Sequence, residues 1–150
     1  MKTTVDFFAE VENQFTMVLP AISVNEGIAR ASVAAFCAQL NPTAVELADL
    51  KCAVSEAVTN AIVHGYELNG QGIVYLSAEI YSDRTVRITV RDKGKGIEDV
   101  ALAMRPLFTT DTSGERSGMG FSVMESFTDR LRVLSRPGAG TRITMYKRLS

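Results

Sequence analysis

At 150 residues, 46% apolar and 22% charged, the chain has the size and composition of one soluble globular domain with its own core. A net charge of -1 argues against a nucleic-acid binder, no apolar run reaches membrane-spanning length, and Asp6 and Glu10 do not suit a signal peptide. One histidine and two cysteines are too few for a convincing zinc site; Cys37 and Cys52, among small apolar residues in predicted helices, read as buried free thiols.

Phe15, Met17 and Leu19 alternate with Thr16 and Val18, which predicts a first strand. Ser23-Val24-Asn25-Glu26 has the form of a capping box and predicts a helix through Ile28, Val33, Phe36 and Leu40. Asn41-Pro42 ends it, because the residue before proline is pushed out of the helical region. Thr43-Ala44-Val45-Glu46 repeats the capping signal. The helix it opens carries a stripe at Leu47, Leu50, Val54, Val58, Ala61 and Ile62 and ends at Gly65. Ile73 to Ile80 and Thr85 to Arg91 alternate as strands, joined by Ser82-Asp83-Arg84 in an antiparallel hairpin. Residues 93–120 hold no sustained period but five glycines, one proline and five Ser/Thr residues, the composition of a lid or binding segment. A helix from about Phe121 to Arg130 and strands near Leu131–Ser135 and Arg142–Tyr146 close the chain. The expected fold is a single α/β (α+β) domain over residues 1–150, a two-layer sandwich. Its sheet is mixed and mainly antiparallel, with helices on one face. Residues 1–12 are the least legible part.

The chemistry lies on the second helix and in two glycine segments. Glu56, Asn60 and His64 are four residues apart and so stack on one helix face. For a Glu/Asn pair alone a solvated polar face is the favoured explanation, but Ala53, Ala57 and Ala61 beside it point to a packed helix whose polar groups line a cleft. Magnesium takes oxygen ligands, few of them from protein, so an Asn60 amide beside a Glu56 base suits phosphoryl chemistry. Asp92-Lys93-Gly94-Lys95-Gly96 reads either as a strand-exit turn or as a purine contact, with the carboxylate accepting from an adenine amine. Ser113 to Gly120 leads into a helix whose free N–H groups could hold phosphate beside Arg116; a plain surface loop is the alternative. Thr141 could carry a hydroxyl to the adenine.

Taken together, Ser55–Tyr66, Arg105–Thr110, Glu115–Phe121 and Ala31–Leu40 resemble the Bergerat-fold ATPases, the superfamily of gyrase B, MutL and histidine-kinase catalytic domains. Within that superfamily the chain is similar to the anti-sigma factor serine kinases of spore-forming bacteria, over roughly residues 13 to 148. The resemblance implies a cytoplasmic homodimer that uses ATP/ADP and Mg2+. Such a protein binds a sporulation sigma factor of the F type and phosphorylates a serine of an anti-anti-sigma partner. Carried over residue by residue, it makes Glu56 the catalytic base and Asn60 the magnesium ligand. Asp92 and Thr141 become adenine contacts, and Gly94 and Gly96 the first glycine box. Thr109, Thr110, Arg116, Ser117, Gly118, Met119, Gly120 and Phe121 become lid and phosphate contacts, with Arg116 also stabilising the terminal phosphate. Arg30 becomes the arginine that docks partner proteins. The first ten or so residues read as an extension, and Asp111–Gly114 depart from the family pattern.

Rival readings are a sigma B-type relative, the ATP-binding module of a two-component histidine kinase, a binding module with structural ATP, and a clamp-type ATPase. The lone histidine, His64, sits inside the nucleotide-site helix, which disfavours the second. Glu56 argues for catalysis, and 150 residues leave no room for a clamp's transducer domain.

Overall fold

The computed structural model describes residues 9–105 and 120–150. Five strands form one sheet: β1 (Val11–Pro20), β2 (Ile73–Tyr81), β3 (Thr85–Asp92), β4 (Arg130–Arg136) and β5 (Gly140–Arg148), in the order β1-β2-β3-β5-β4. All four pairings are antiparallel, so the expected mainly antiparallel sheet is antiparallel throughout its described strands. The helices are α1 (Asn25–Cys37), α2 (Ala44–Asn60), a short α3 (Val100–Ala103) and α4 (Gly120–Phe127). α2 lies between α1 and α4 and packs on the sheet at β3.

The alternation in the sequence decides which side of each strand meets the helices. Val74, Leu76, Ala78 and Ile80 on β2, Val86, Ile88 and Val90 on β3, and Ile143 and Met145 on β5 are all buried. They meet Leu50, Val54 and Val58 of α2, Ala29 and Val33 of α1, and Phe121 and Met124 of α4 in one core. Phe15 of β1 stacks on Phe36 of α1, ring centroids 4.8 Å apart. No described helix is long and apolar enough to cross a membrane.

The two capping signals fare differently. At α2 the box forms in full: Thr43 Oγ1 accepts from Glu46 N–H (3.1 Å), and Glu46 Oε1 accepts from Thr43 N–H (2.9 Å). Those bonds stabilise the charged form, and the Thr43 backbone bond leads in holding the Glu46 carboxyl below its ordinary range. At α1 the box does not form. Val24 is already helical and Ser23 contributes only its backbone carbonyl. The Glu26 carboxylate is taken instead by Arg30 and Thr59. Ile28, within the expected helix, is exposed, whereas Val33 is buried. Asn41 leaves the right-handed region as its proline neighbour requires, but into the left-handed one (φ 49°). α4 stops at Phe127 rather than near Arg130; Thr128 Oγ1 donates to the Met124 carbonyl (2.7 Å) and Arg130 already pairs with Tyr146 in the sheet. α3 was not expected, being four residues long and too short to show a period. Cys37 is buried, and burial pushes its thiol up to about 12. Cys52 is exposed on α2, contrary to expectation, because it lies off the stripe that the sheet and α1 cover.

Candidate functional site

α2 is regular through Asn60 and then widens into a π-helical turn, Ala61–Gly65, in which Tyr66 N–H reaches back five residues to the Ala61 carbonyl (3.0 Å). Single π turns inside helices recur at functional sites. Glu56 and Asn60 lie in the regular part, one turn apart; Glu56 is half-buried and Asn60 only 4% exposed. His64 falls in the π turn, where four residues no longer complete one revolution. His64 there is half-buried.

The π turn delivers Gly65 to the end of β3. A Cβ on Gly65 would stand 2.8 Å from Asp92 Cγ, so only glycine lets the helix end lie against that carboxylate. Asp92 is 3% exposed. Desolvation drives its carboxyl above the ordinary range, against the opposing effect of backbone N–H bonds from Gly94 and Thr141. The Gly94 bond is 2.9 Å long. Such a carboxylate is desolvated yet only partly satisfied, and it favours a further hydrogen-bond donor.

Gly94 and Gly96 were expected to let the backbone approach a base. In the structure the close approaches are within the protein. A Cβ on Gly94 would stand 2.0 Å from the Gly65 carbonyl oxygen, and one on Gly96 (φ 75°) would stand 2.0 Å from the Arg136 carbonyl oxygen. Lys95 N–H donates to Gly65 O (2.9 Å) and Gly138 N–H donates to Lys95 O (2.6 Å). The turn after β3 is thereby pinned between the π turn and the β4–β5 turn. Gly140 (φ 94°) passes the Asp92 carbonyl so closely that a Cβ would stand 2.1 Å from its oxygen.

Three supporting residues escaped the sequence reading. Tyr66 Oη accepts from Lys93 N–H (2.7 Å) and donates to Ile73 O (2.7 Å), tying the π turn to both central strands. Ser135 Oγ accepts from Ile97 N–H (2.8 Å) and lies 2.8 Å from Thr141 Oγ1. Gly72 carries the third role, since a Cβ there would stand 2.3 Å from the Tyr66 ring. Tyr66 entered the sequence reading only as the last residue of the Ser55–Tyr66 stretch, with no role of its own. Ser135 looked like any polar member of an alternating strand.

Thr141 pairs with Asp92 across β3 and β5 and is 4% exposed, so it and the carboxylate form one buried polar spot. Gly120 opens α4, and the Phe121 side chain belongs to the core rather than to an anion site, so only its backbone could serve a phosphate. Thr109, Thr110, Arg116, Ser117, Gly118 and Met119 lie outside the described residues. Arg30 is half-exposed on α1 and is not a free cation: Nη1 pairs with Glu26 Oε1 at 2.9 Å. The other Glu26 oxygen accepts from Thr59 Oγ1 at 3.1 Å, one residue before Asn60.

A helix-backed antiparallel sheet whose central helix ends against a buried Asp and a Gly-x-Gly turn defines a class, the histidine kinase-like ATPase domain, and the model of that family matches residues 20–147. The fold is shared with solved structures of low sequence identity. The RsbU and RsbW domains of Rv1364c from Mycobacterium tuberculosis match with a TM-score of 0.67 at 23% identity, over 91% of this chain and 32% of that longer one. The catalytic domain of histidine kinase ThkA matches with a TM-score of 0.55 at 21% identity, over 69% of this chain and 68% of that one. Sequence relatives are much nearer. The anti-sigma F factors of Bacillus licheniformis (51% identical) and Anoxybacillus flavithermus (50% identical) align over 140 residues, 93% of this chain and 95% of each relative. The chain belongs to the anti-sigma F factor family.

Proposed function

We propose that this chain is a cytoplasmic, homodimeric anti-sigma factor that holds a sigma factor of the F type and phosphorylates a serine of an anti-anti-sigma partner from ATP. The observation that carries the reading is the continuity of α2, which presents Glu56 and Asn60 one turn apart and then runs through the π turn onto the buried Asp92 carboxylate.

The residues present fit an adenine nucleotide. Asp92 is a buried acceptor set beside the Thr141 hydroxyl, and it recognises an exocyclic amine. No three His, Cys, Asp or Glu side chains gather as a metal site among the described residues, which suits an ion held by the Asn60 amide oxygen and otherwise by phosphate and water. Mg2+, when bound, spreads the charge of the phosphates. Glu56 orients the partner's serine and accepts its hydroxyl proton as the oxygen attacks the terminal phosphate, while the bond from that phosphorus to the bridging oxygen breaks and ADP leaves. Arg116 is assigned the stabilisation of charge on that phosphate. Arg30 is assigned partner docking, in a setting where Ile22, Val24 and Ile28 are exposed along the approach to α1 and its first turn. A partner acid must there compete with Glu26 for the guanidinium.

The test uses terminally labelled ATP with a candidate anti-anti-sigma protein. Label should appear on the partner's serine, and Glu56→Ala should slow transfer by about 10²- to 10⁴-fold with ATP affinity nearly intact. Transfer at the wild-type rate would remove Glu56 as base. Arg30→Ala should weaken both partner complexes by about 2 kcal/mol, roughly thirtyfold, and leave ATP affinity unchanged.

A further inference from the structure

The face of the sheet turned away from the helices is not covered by any described element. The strand registers arrange its side chains in rows. One row places Tyr75, Arg91, Arg142 and Leu134 side by side across β2, β3, β5 and β4. The next is hydroxylic on its three inner strands, with Ser77, Thr89 and Thr144, and ends at Arg132. Together these rows floor an open trough of about 570 Å³.

Its charge is one-sided. Arg91 and Arg142 are direct cross-strand partners, and like charges so placed destabilise a sheet. Glu79 is the one carboxylate lining the trough, and it is already engaged by Arg87, whose Nε donates to it at 3.1 Å. Arg132 and Arg142 are exposed, and their side chains have no hydrogen bond or ion pair among the described residues. This cationic excess sits on a chain whose net charge is -1, so it is a local feature rather than a property of the whole surface.

The ligand chemistry can be narrowed. Nucleic-acid bases need bare aromatic faces to stack on. Here the Arg91 guanidinium lies 4.7 Å and the Lys93 ammonium 5.3 Å from the Tyr75 ring centroid, and Arg130 covers Tyr146 at 5.7 Å. A second copy presenting the same face through a two-fold axis would set arginines against arginines. Carboxylates on an extended chain meet neither objection. They would neutralise the Arg91–Arg142 opposition, while the hydroxyl row supplies donors and acceptors between the charges.

We propose that this trough is a docking surface for an acidic polypeptide segment. It lies across the sheet from α1 and α2, and it does not depend on the assignment of the nucleotide site or of Arg30. The test measures fluorescence anisotropy of a labelled Glu-Ser repeat peptide against the whole chain at low and physiological salt. Saturable binding that weakens with salt is expected. Arg91→Ser with Arg142→Thr should lower the affinity by about tenfold or more, and Arg132→Ser by a smaller factor. Equal affinity of the wild type and the double variant would overturn the proposal. So would tighter binding of a single-stranded oligonucleotide of matched charge, or a change in oligomeric state as the only effect of the double variant. Arg142→Thr alone relieves the like-charge pair, so its melting temperature should equal or exceed the wild-type value; a lower one would remove the like-charge argument on which the proposal stands.

Discussion

The two ends of α2 follow different rules. Its start is closed by side chains: Thr43 and Glu46 exchange two hydrogen bonds in a box that many sequences could write. Its finish is closed by backbone, through a π turn that brings Gly65 against Asp92 and Gly94 with no room for a Cβ at either glycine. The first end stabilises a helix and nothing more. The second sacrifices regular hydrogen bonding to set a buried carboxylate, a hydroxyl and two chain segments around one spot. Irregular backbone of this kind persists where the surroundings fix it, and such places are often functional.

The most severe way to break the second end is Gly94→Ala. The new Cβ would meet the Gly65 carbonyl at 2.0 Å and its carbon at 2.3 Å, and both are backbone atoms that cannot rotate away. Overpacking against a fixed neighbour costs about 3 kcal/mol and can cost more, so a clear fall in the denaturation midpoint is expected, with nucleotide binding lost alongside. Gly138→Ala is the control. Its φ of 77° is equally left-handed, but nothing lies within 4 Å of the added Cβ. It should cost only the conformational strain, about 1 kcal/mol. Equal losses in the two variants would mean that strain, not close approach, defines the site.

Asp92 sharpens the comparison through pH. Burial raises its carboxyl above the unfolded value, so the folded protein holds this proton more readily than the unfolded chain does. The cost of burying the charge is therefore fully present above the raised folded-state pKa and disappears as pH falls through the ordinary carboxylate range. Asp92→Asn keeps an oxygen for the Gly94 and Thr141 N–H groups without the charge. The nucleotide-free variant should melt at or above the wild-type temperature at neutral pH, with the difference closing on acidification. Adenine selectivity should fall at the same time, GTP gaining on ATP in a competition assay. Greater stability with weaker selectivity is the signature of a residue kept for binding; a variant less stable at neutral pH would make Asp92 structural.

Side-chain alternation and one capping box make the sheet, its core positions and the start of α2 legible in the chain alone. Val74, Leu76, Ala78 and Ile80 were placed correctly because a half-buried strand writes its period into the sequence. The Ser23–Glu26 box misled, since the same letters serve a cross-helix bond from Thr59 when the preceding backbone is already helical. Within the site, Glu56, Asn60 and Asp92 stood out as chemistry on patterned elements. The π turn, the glycine-to-carbonyl approaches and the Ser135–Thr141 hydroxyl pair did not. They depend on where backbone segments distant in sequence meet, and no local pattern records that. The basic trough was hidden for a related reason: its arginines are scattered over three strands, β3, β4 and β5, and gather only through the registers.

The smallest expected effect belongs to the first end of α2. Thr43→Ala removes the oxygen that accepts from Glu46 N–H and leaves Glu46 still able to accept from residue 43's own N–H, so half of the box survives. The loss should be about 1 kcal/mol, read as a lowered urea midpoint with an unchanged denaturant slope. Because Glu46 also accepts from Ser150 N–H at 2.8 Å, its carboxylate stays placed without the threonine hydroxyl. Nucleotide affinity should be unmoved, since the damage lies at the opposite end of the helix from Asn60 and the π turn. A Thr43→Ala protein with wild-type stability would show that the box is ornamental. One with impaired ATP binding would show that the two ends of α2 are mechanically coupled, and the division between a stabilising end and a functional end would have to be abandoned.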